Sequence, residues 1–312
     1  MKKKIIYILL SLLVCANVFA QDTEENVSVG PAFENGTLID AQTSFIPDVK
    51  SLEFIIQHKF GPIDNGDADF DLFGIYAPGA NIRLALNYVP ARNVQIGMGI
   101  TKSSDCVDFN GKWTILEQTE NNKIPFFVTV FANTAITYES KDDLGSLMDY
   151  DNPSSRFDYR LSDRFSYFAQ VFVGRKFTNA LSVQGGVSFS HDNLVDAWHD
   201  HDRVALHLDG RLKFSGQSSF IFNFGAPLRI DKISEQHPDW TAANPPHPDW
   251  KGPYNPKPSL KFGVEISTFT HAFQIYVGNA NAILPQFDMM NNYNKPFDGL
   301  AFGFTITRLW MY

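Results

Sequence analysis

Residues 81 to 88 place Ile82, Leu84, Leu86 and Tyr88 on one parity and Asn81, Arg83, Ala85 and Asn87 on the other. A β-strand turns these two sets to opposite faces, because successive side chains alternate across the pleat. The pattern is sharpest at 203 to 213, where Val204, Leu206, Leu208 and Leu212 oppose Arg203, His207, Asp209, Arg211 and Lys213. Ionisable groups on that second face cannot meet acyl chains cheaply, and the first face suits water no better. A sheet of many such strands is satisfied by closing on itself, with lipid outside and a polar interior.

The alternation recurs at 52–60, 94–101, 107–115, 167–176, 181–190, 220–224, 260–266, 273–277 and 302–312. Residues 126–131 are less regular, since Phe126, Val128 and Val130 oppose a face that includes Phe127 and Phe131. The links near 91, 117–123, 179, 215–218 and 270 are short, while those at 61–79, 139–163, 192–201, 227–257 and 281–298 are mostly long. Only the short link near Ser103 breaks this alternation. Short and long links alternate as periplasmic turns and extracellular loops do in bacterial barrels. The expected fold is therefore all-β, a closed antiparallel transmembrane barrel of about twelve strands from residue 50 to 312. Residues 40–46 offer a further strand, which would raise the count to about 13 or 14.

Composition agrees. The 28 Phe, 11 Tyr and 21 Gly in 312 residues suit a large β structure, and a mean hydropathy of −0.17 excludes a helical membrane protein. No stretch beyond the N-terminus supplies the roughly 18 apolar residues of a spanning helix. At the N-terminus, Lys2, Lys3 and Lys4 precede an apolar run from Ile5 to Val14 and a small-residue site at Val18-Phe19-Ala20. This reads as a cleaved signal peptide over residues 1–20 and implies an outer-membrane destination. Val14 before Cys15 is too bulky for ordinary lipoprotein processing, and a mature chain with Cys106 alone forms no internal disulfide. Loss of the three lysines takes the formal charge from −8 to −11, which argues against a nucleic-acid partner.

The last strand carries Phe302, Phe304, Ile306, Trp310 and a terminal Tyr312. This alternation resembles the C-terminal signal by which outer-membrane barrels are received by the barrel assembly machinery. Further stretches, Leu52-Glu53-Phe54-Ile55-Ile56-Gln57-His58-Lys59-Phe60-Gly61, Ala80-Asn81-Ile82-Arg83-Leu84, Val264-Glu265-Ile266 and His271-Ala272-Phe273-Gln274-Ile275, resemble an uncharacterised family of outer-membrane β-barrels described only as a domain of unknown function. The resemblance runs from about residue 30 to the end. It implies a barrel in the outer membrane and names no reaction, ligand or catalytic residue.

On the inward parity Lys59, Arg83, Lys112, Arg164, Lys176, Arg203, Arg211, Lys213 and Lys261 outnumber Glu53, Asp108, Asp209 and Glu265, and His207 joins them. Such a lining either selects small anionic solutes in an open, porin-like pore or pairs across strands to fill a non-conducting, structural or partner-binding barrel. Residues 21–49 carry Asp22, Glu24, Glu25, Glu34, Asp40 and Asp48, and are either disordered periplasmic chain or an acidic plug within the basic lumen. In the loops, His199 and His201 are the candidate metal ligands, at most half a site. His237-Pro238-Asp239-Trp240 is echoed by His247-Pro248-Asp249-Trp250, where Trp240 and Trp250 suit a lid or an extracellular contact. No nucleophile elbow, phosphate loop or carboxylate pair is evident, so neither enzyme activity nor a cofactor is expected. The sequence is silent on oligomeric state. The chain freed of residues 1–20 is expected to aggregate when detergent is withdrawn. A monodisperse, detergent-free species in light scattering would place the greasy parity against protein instead.

Overall fold

Strands with one greasy and one polar face have two demands, an apolar surround and a partner on each edge. The computed structural model meets both by closing a single ring of twelve antiparallel strands. It describes residues 27–63, 71–139, 160–195, 199–234 and 254–312. The signal segment 1–20 and the repeated His-Pro-Asp-Trp motifs lie outside the described residues. The first elements are two very short strands, β1 (Thr37–Leu38) and β2 (Ala41–Gln42), paired only with each other. The ring follows: β3 (Leu52–Pro62), β4 (Asn81–Ala91), β5 (Val94–Thr101), β6 (Cys106–Leu116), β7 (Phe127–Thr137), β8 (Phe165–Lys176), β9 (Leu181–Asp192), β10 (Asp202–Lys213), β11 (Ser218–Leu228), β12 (Ser259–Ser267), β13 (His271–Gly278) and β14 (Ala301–Trp310). Within the last long link lies one short helix, α1 (Pro285–Asn291).

Each ring strand pairs with its sequence neighbours, and β14 closes on β3 from Trp310 opposite Leu52 to Ala301 opposite Pro62. Closure removes the free edge that hydrocarbon cannot solvate. Strand lengths of 8 to 12 residues fit a tilted crossing of the bilayer core. The further strand offered at 40–46 is only β2, Ala41–Gln42, paired with β1 and not with the ring, so it adds nothing to the wall. The link at 102–105 is a tight turn with Ser103–Asp105 in 3₁₀ form, the short link that interrupts the long-loop side. At the opposite end Arg92-Asn93 joins β4 to β5, with Asn93 at φ 62°, a left-handed conformation that asparagine tolerates better than most side chains.

The outward parity includes Ile96, Phe109, Val171, Leu206, Phe220 and Ile275, all exposed, while Glu53, Lys59, Arg83, Asp108, Arg211 and Lys261 are buried within the ring. An exposed apolar belt around a buried, charged interior inverts the usual globular arrangement and is stable only in lipid. Leu206→Arg, a charge on the outward face of β10, is expected to cost about 2–4 kcal/mol if the residue lies near the bilayer midplane. Urea unfolding in phospholipid vesicles measures it, and a loss near zero would remove Leu206 from the acyl region.

Candidate functional site: an occupied lumen

The inward face is not uniformly polar. Ile55, Phe127, Phe131, Phe168, Phe172, Ile221 and Tyr276 also point inward and are buried. What they bury is chain inserted from the two ends of the barrel. From the short-turn end comes the N-terminal segment. Val29 N–H donates to Gln118 O (3.0 Å) and Glu120 N–H to Val27 O (2.9 Å), which anchors the segment to the link between β6 and β7. The chain then runs through the interior as the β1–β2 hairpin and returns to the same rim, where Lys50 N–H donates to Val89 O (2.8 Å). Ala32, Phe33, Leu38 and Ile39 form one apolar cluster with Phe127, Ile221 and Tyr276 of the wall.

A hairpin of two-residue strands cannot satisfy its own backbone, and the wall side chains do so instead. Gln274 accepts from Ile39 N–H through Oε1 (2.7 Å) and donates to Thr37 O through Nε2 (2.9 Å). Gln57 donates to Ile39 O (3.2 Å), Lys112 to Gly36 O (3.1 Å), Thr114 to Ser44 O (3.0 Å) and Gln184 to Gln42 O (2.6 Å). Gly36 passes so close to the wall that a Cβ there would lie 3.1 Å from Lys112 Nζ and 3.3 Å from Glu53 Oε1. Ile39 sits at φ 59°, a costly conformation for a β-branched residue, held by the bonds to its N–H and C=O.

From the long-loop end comes α1, begun by Pro285 at a position where its missing N–H costs nothing. Met289 packs among Phe131, Phe168, Phe172 and Ala205, and Leu284 against Cys106 and Ala135. Gln286 donates to Asn133 Oδ1 (2.8 Å). Lys59 Nζ donates to the carbonyls of Ala280 (2.9 Å) and Ala282 (2.7 Å) in the chain leading to the helix.

The two inserts meet at charges. Asp40, at the hairpin tip, contacts Lys59 Nζ (2.6 Å) and Lys261 Nζ (2.9 Å) through Oδ2, and Lys261 also reaches Asp288 of α1 (2.5 Å). Nearer the hairpin base, Glu34 Oε1 contacts Arg211 Nη1 (2.7 Å) and Lys213 Nζ (3.0 Å). Burial alone would raise both carboxyls, but the paired ammonium and guanidinium groups outweigh it and hold Asp40 and Glu34 below the usual carboxylate range. Between hairpin tip and helix remains a cavity of about 20 Å³, room for a single water, lined in part by Asp40, His207, Asn223, Asp288 and Met289.

The other inward residues form a connected lining. Arg83 binds Asp108 in a two-pronged contact (2.9 and 2.6 Å), with Asn133 donating to the same carboxylate (3.0 Å). Glu53 accepts from Asn87 (2.9 Å) and Gln95 (3.0 Å), Asp209 from Gln184 (3.0 Å) and Asn223 (2.6 Å), and Glu265 from Asn35 (2.9 Å) and Gln274 (2.8 Å). His207 Nε2 shares a proton with Ser188 Oγ at 2.7 Å. Lys176 donates to Val29 O at the short-turn rim (3.3 Å). Arg203 pairs with Asp200 at the long-loop rim (3.1 Å), and Arg164 stands just before β8 with its guanidinium on the carbonyls of Thr137 and Glu139 (3.0 Å each). Arg164 is thus a rim residue and lines none of the central lumen.

His199 and His201 do not share a site. His199 Nε2 meets Tyr293 Oη (3.0 Å), whereas His201 Nδ1 lies 2.7 Å from Asp192 O beside the His191 ring. Among the described residues no cluster of three or more His, Cys, Asp or Glu is placed to hold a metal. On the outside of β14, Phe302 is exposed, and Tyr312 beyond the strand is 81% exposed. Residues that went unread in sequence are the hairpin's contacts and the whole of α1. The inward parity of Phe127, Phe131, Phe168 and Phe172 was the available signal.

No curated protein matches the chain in sequence. Among solved structures it is similar to the KdgM porin (7% identity, 84% of this chain and 99% of that one, TM-score 0.43). It is similar also to the COG4313 outer membrane channel from Pseudomonas putida F1 (10%, 86% and 98%, TM-score 0.46) and to the NanC porin (10%, 84% and 99%, TM-score 0.43). A family model described as "Membrane bound beta barrel domain (DUF5777)" matches residues 33–310, nearly the whole described barrel and its inserted hairpin. The chain belongs to this family of membrane-bound β-barrel domains.

Proposed function

We propose that the protein is an outer-membrane channel for small anionic solutes whose resting state is closed by its own N-terminal hairpin. The single observation that carries this reading is the nature of the obstruction. The axis is filled by a segment tethered at one rim, held by two carboxylates on wall cations and by hydrogen bonds from wall side chains. A wall merely packed shut needs no such removable occupant. With the hairpin withdrawn, Lys59, Lys261, Arg211 and Lys213 face the space it vacates and favour anions there, and conduction further requires α1, which also occupies the lumen, to shift. The short-turn end, where the hairpin is anchored, is the periplasmic one. A second reading, a non-conducting barrel, draws on the apolar lock of Met289 among Phe131, Phe168 and Phe172.

Planar-bilayer recording in a salt gradient tests the channel. The native chain is expected to open rarely, and Asp40→Asn to open more often with a reversal potential on the anion side. Removing one partner of a buried charge pair costs about 3–5 kcal/mol, enough to shift the docked population strongly. Acid acts in the same sense. Docking lowers both carboxyl pKa values, so its electrostatic contribution is complete above the ordinary carboxylate range and is lost as pH falls through the depressed values. Opening should therefore rise on strong acidification, as the two carboxylates are protonated. Silence of native and variant chains at every pH, or cation preference, refutes the anion channel.

The exposed aromatics Phe302 and Tyr312, with Phe304, Ile306 and Trp310, form the terminal signal read by the assembly machinery in this proposal. Deleting Tyr312 together with Trp310→Ala should lower the amount of heat-modifiable barrel in the outer membrane while the secreted precursor persists. An unchanged yield would remove that role.

A further inference from the structure

Asp40 and Glu34 are bound as ligands are bound. Asp40 receives Lys59, Lys261 and an amide proton from Gln57 Nε2 (3.3 Å), so one carboxylate has three donors from two wall strands, β3 and β12. The Lys59 and Lys261 side chains are 2% and 0% exposed, and their ammonium groups are kept in place by Ala280 O, Ala282 O and Asp288. The receptor is therefore positioned by wall and helix, and the hairpin only occupies it. Glu34 sits against Arg211 and Lys213, two residues apart on the inward face of β10. Glu34 gives both cations the same single oxygen, Oε1. Arg211 is almost wholly buried, yet no acceptor among the described residues hydrogen-bonds its Nε. A guanidinium is built to hold a carboxylate by two parallel bonds, and here part of its fork is unused.

From this we infer that the Lys59/Lys261 pair and the Arg211/Lys213 pair are two carboxylate-binding subsites, and that the hairpin holds them as an internal competitor for a small polycarboxylate. The inference rests on the channel reading for the solute's passage but not for its binding. Withdrawal of the hairpin leaves these four cations with two fewer counter-charges, a costly state in a low-dielectric interior. A solute carrying two or more carboxylates brings at least two anions with each molecule that enters; a monocarboxylate brings one. The polycarboxylate thus binds the undocked state better than the docked one, and it drives its own opening by mass action.

The test uses full-length protein in detergent with tricarballylate as probe. The chain carries Cys15→Ala, Cys106→Ala and Ala41→Cys, and the rate at which the introduced hairpin thiol reacts with a polyethylene-glycol maleimide reports withdrawal of the hairpin. At a concentration about ten times the dissociation constant, tricarballylate should raise that rate about tenfold. Acetate and chloride at equal ionic strength should leave it nearly unchanged, and Lys59→Gln with Arg211→Gln should abolish the response. A second measurement, the rise of the unfolding midpoint of Asp40→Asn with tricarballylate, guards against a misfolded cysteine variant. Labelling indifferent to tricarballylate, or equally hastened by acetate, overturns the subsites even if the bilayer records an anion channel. Accelerated labelling in a barrel that never conducts upholds the subsites and discards the channel.

Discussion

Hydrocarbon offers no hydrogen-bond partner, so a sheet within it must have no edge. The pairing of β14 with β3 meets this demand, and the remaining architecture follows from it. A closed ring sends one parity to lipid and forces the other into a confined space together, whatever its chemistry. Here that confined set includes Lys59, Arg83, Lys112, Arg211 and Lys261, which cannot all remain buried without counter-charges and acceptors. Some find them on neighbouring strands, as Arg83 does with Asp108. Others find them on inserted chain, as Lys261 does with Asp40 of the hairpin tip and Asp288 of the helix.

The hairpin is held in a manner that suits reversible docking. Its apolar contribution is one cluster around Phe33, Leu38 and Ile39, and its polar contribution consists largely of bonds from wall side chains to its backbone. Water can replace those bonds at modest net cost. Buried ion pairs add little net stability, since desolvation consumes much of the attraction, but they discriminate strongly between a docked and a shifted register. The left-handed Ile39 at the tip adds strain that is relieved on release. α1 is held by Met289, enclosed by Phe131, Phe168 and Phe172, and by the contact of Asp288 with Lys261.

Much of the wall was legible. Alternation identified all twelve ring strands, and link lengths distinguished the two ends, including the short link at Ser103–Asp105. The irregular face of β7 was legible too, but not its meaning. Phe127 and Phe131 break the polar parity because they pack against inserted chain, and a single strand's pattern cannot say whether a greasy inward residue meets an insert or an error in register. α1 was unreadable for a related reason. Seven residues are too few for helical periodicity, and the segment is helical because the lumen buries Met289 and Met290. His199 and His201 showed metal-ligand types at close spacing, yet the local chain sends them to different partners.

By itself the sequence determined which face of each strand meets lipid, because that choice is local and repeats every second residue. It determined also that the interior would hold an excess of cations beside an acidic N-terminal segment. Only the tertiary structure decided that residues 27–50 enter the lumen, that Asp40 meets Lys59 and Lys261, and that Asp288 arrives from the other end. Those contacts join residues as much as 221 positions apart in the chain. Their geometry follows from ring closure and strand register, which no local pattern encodes.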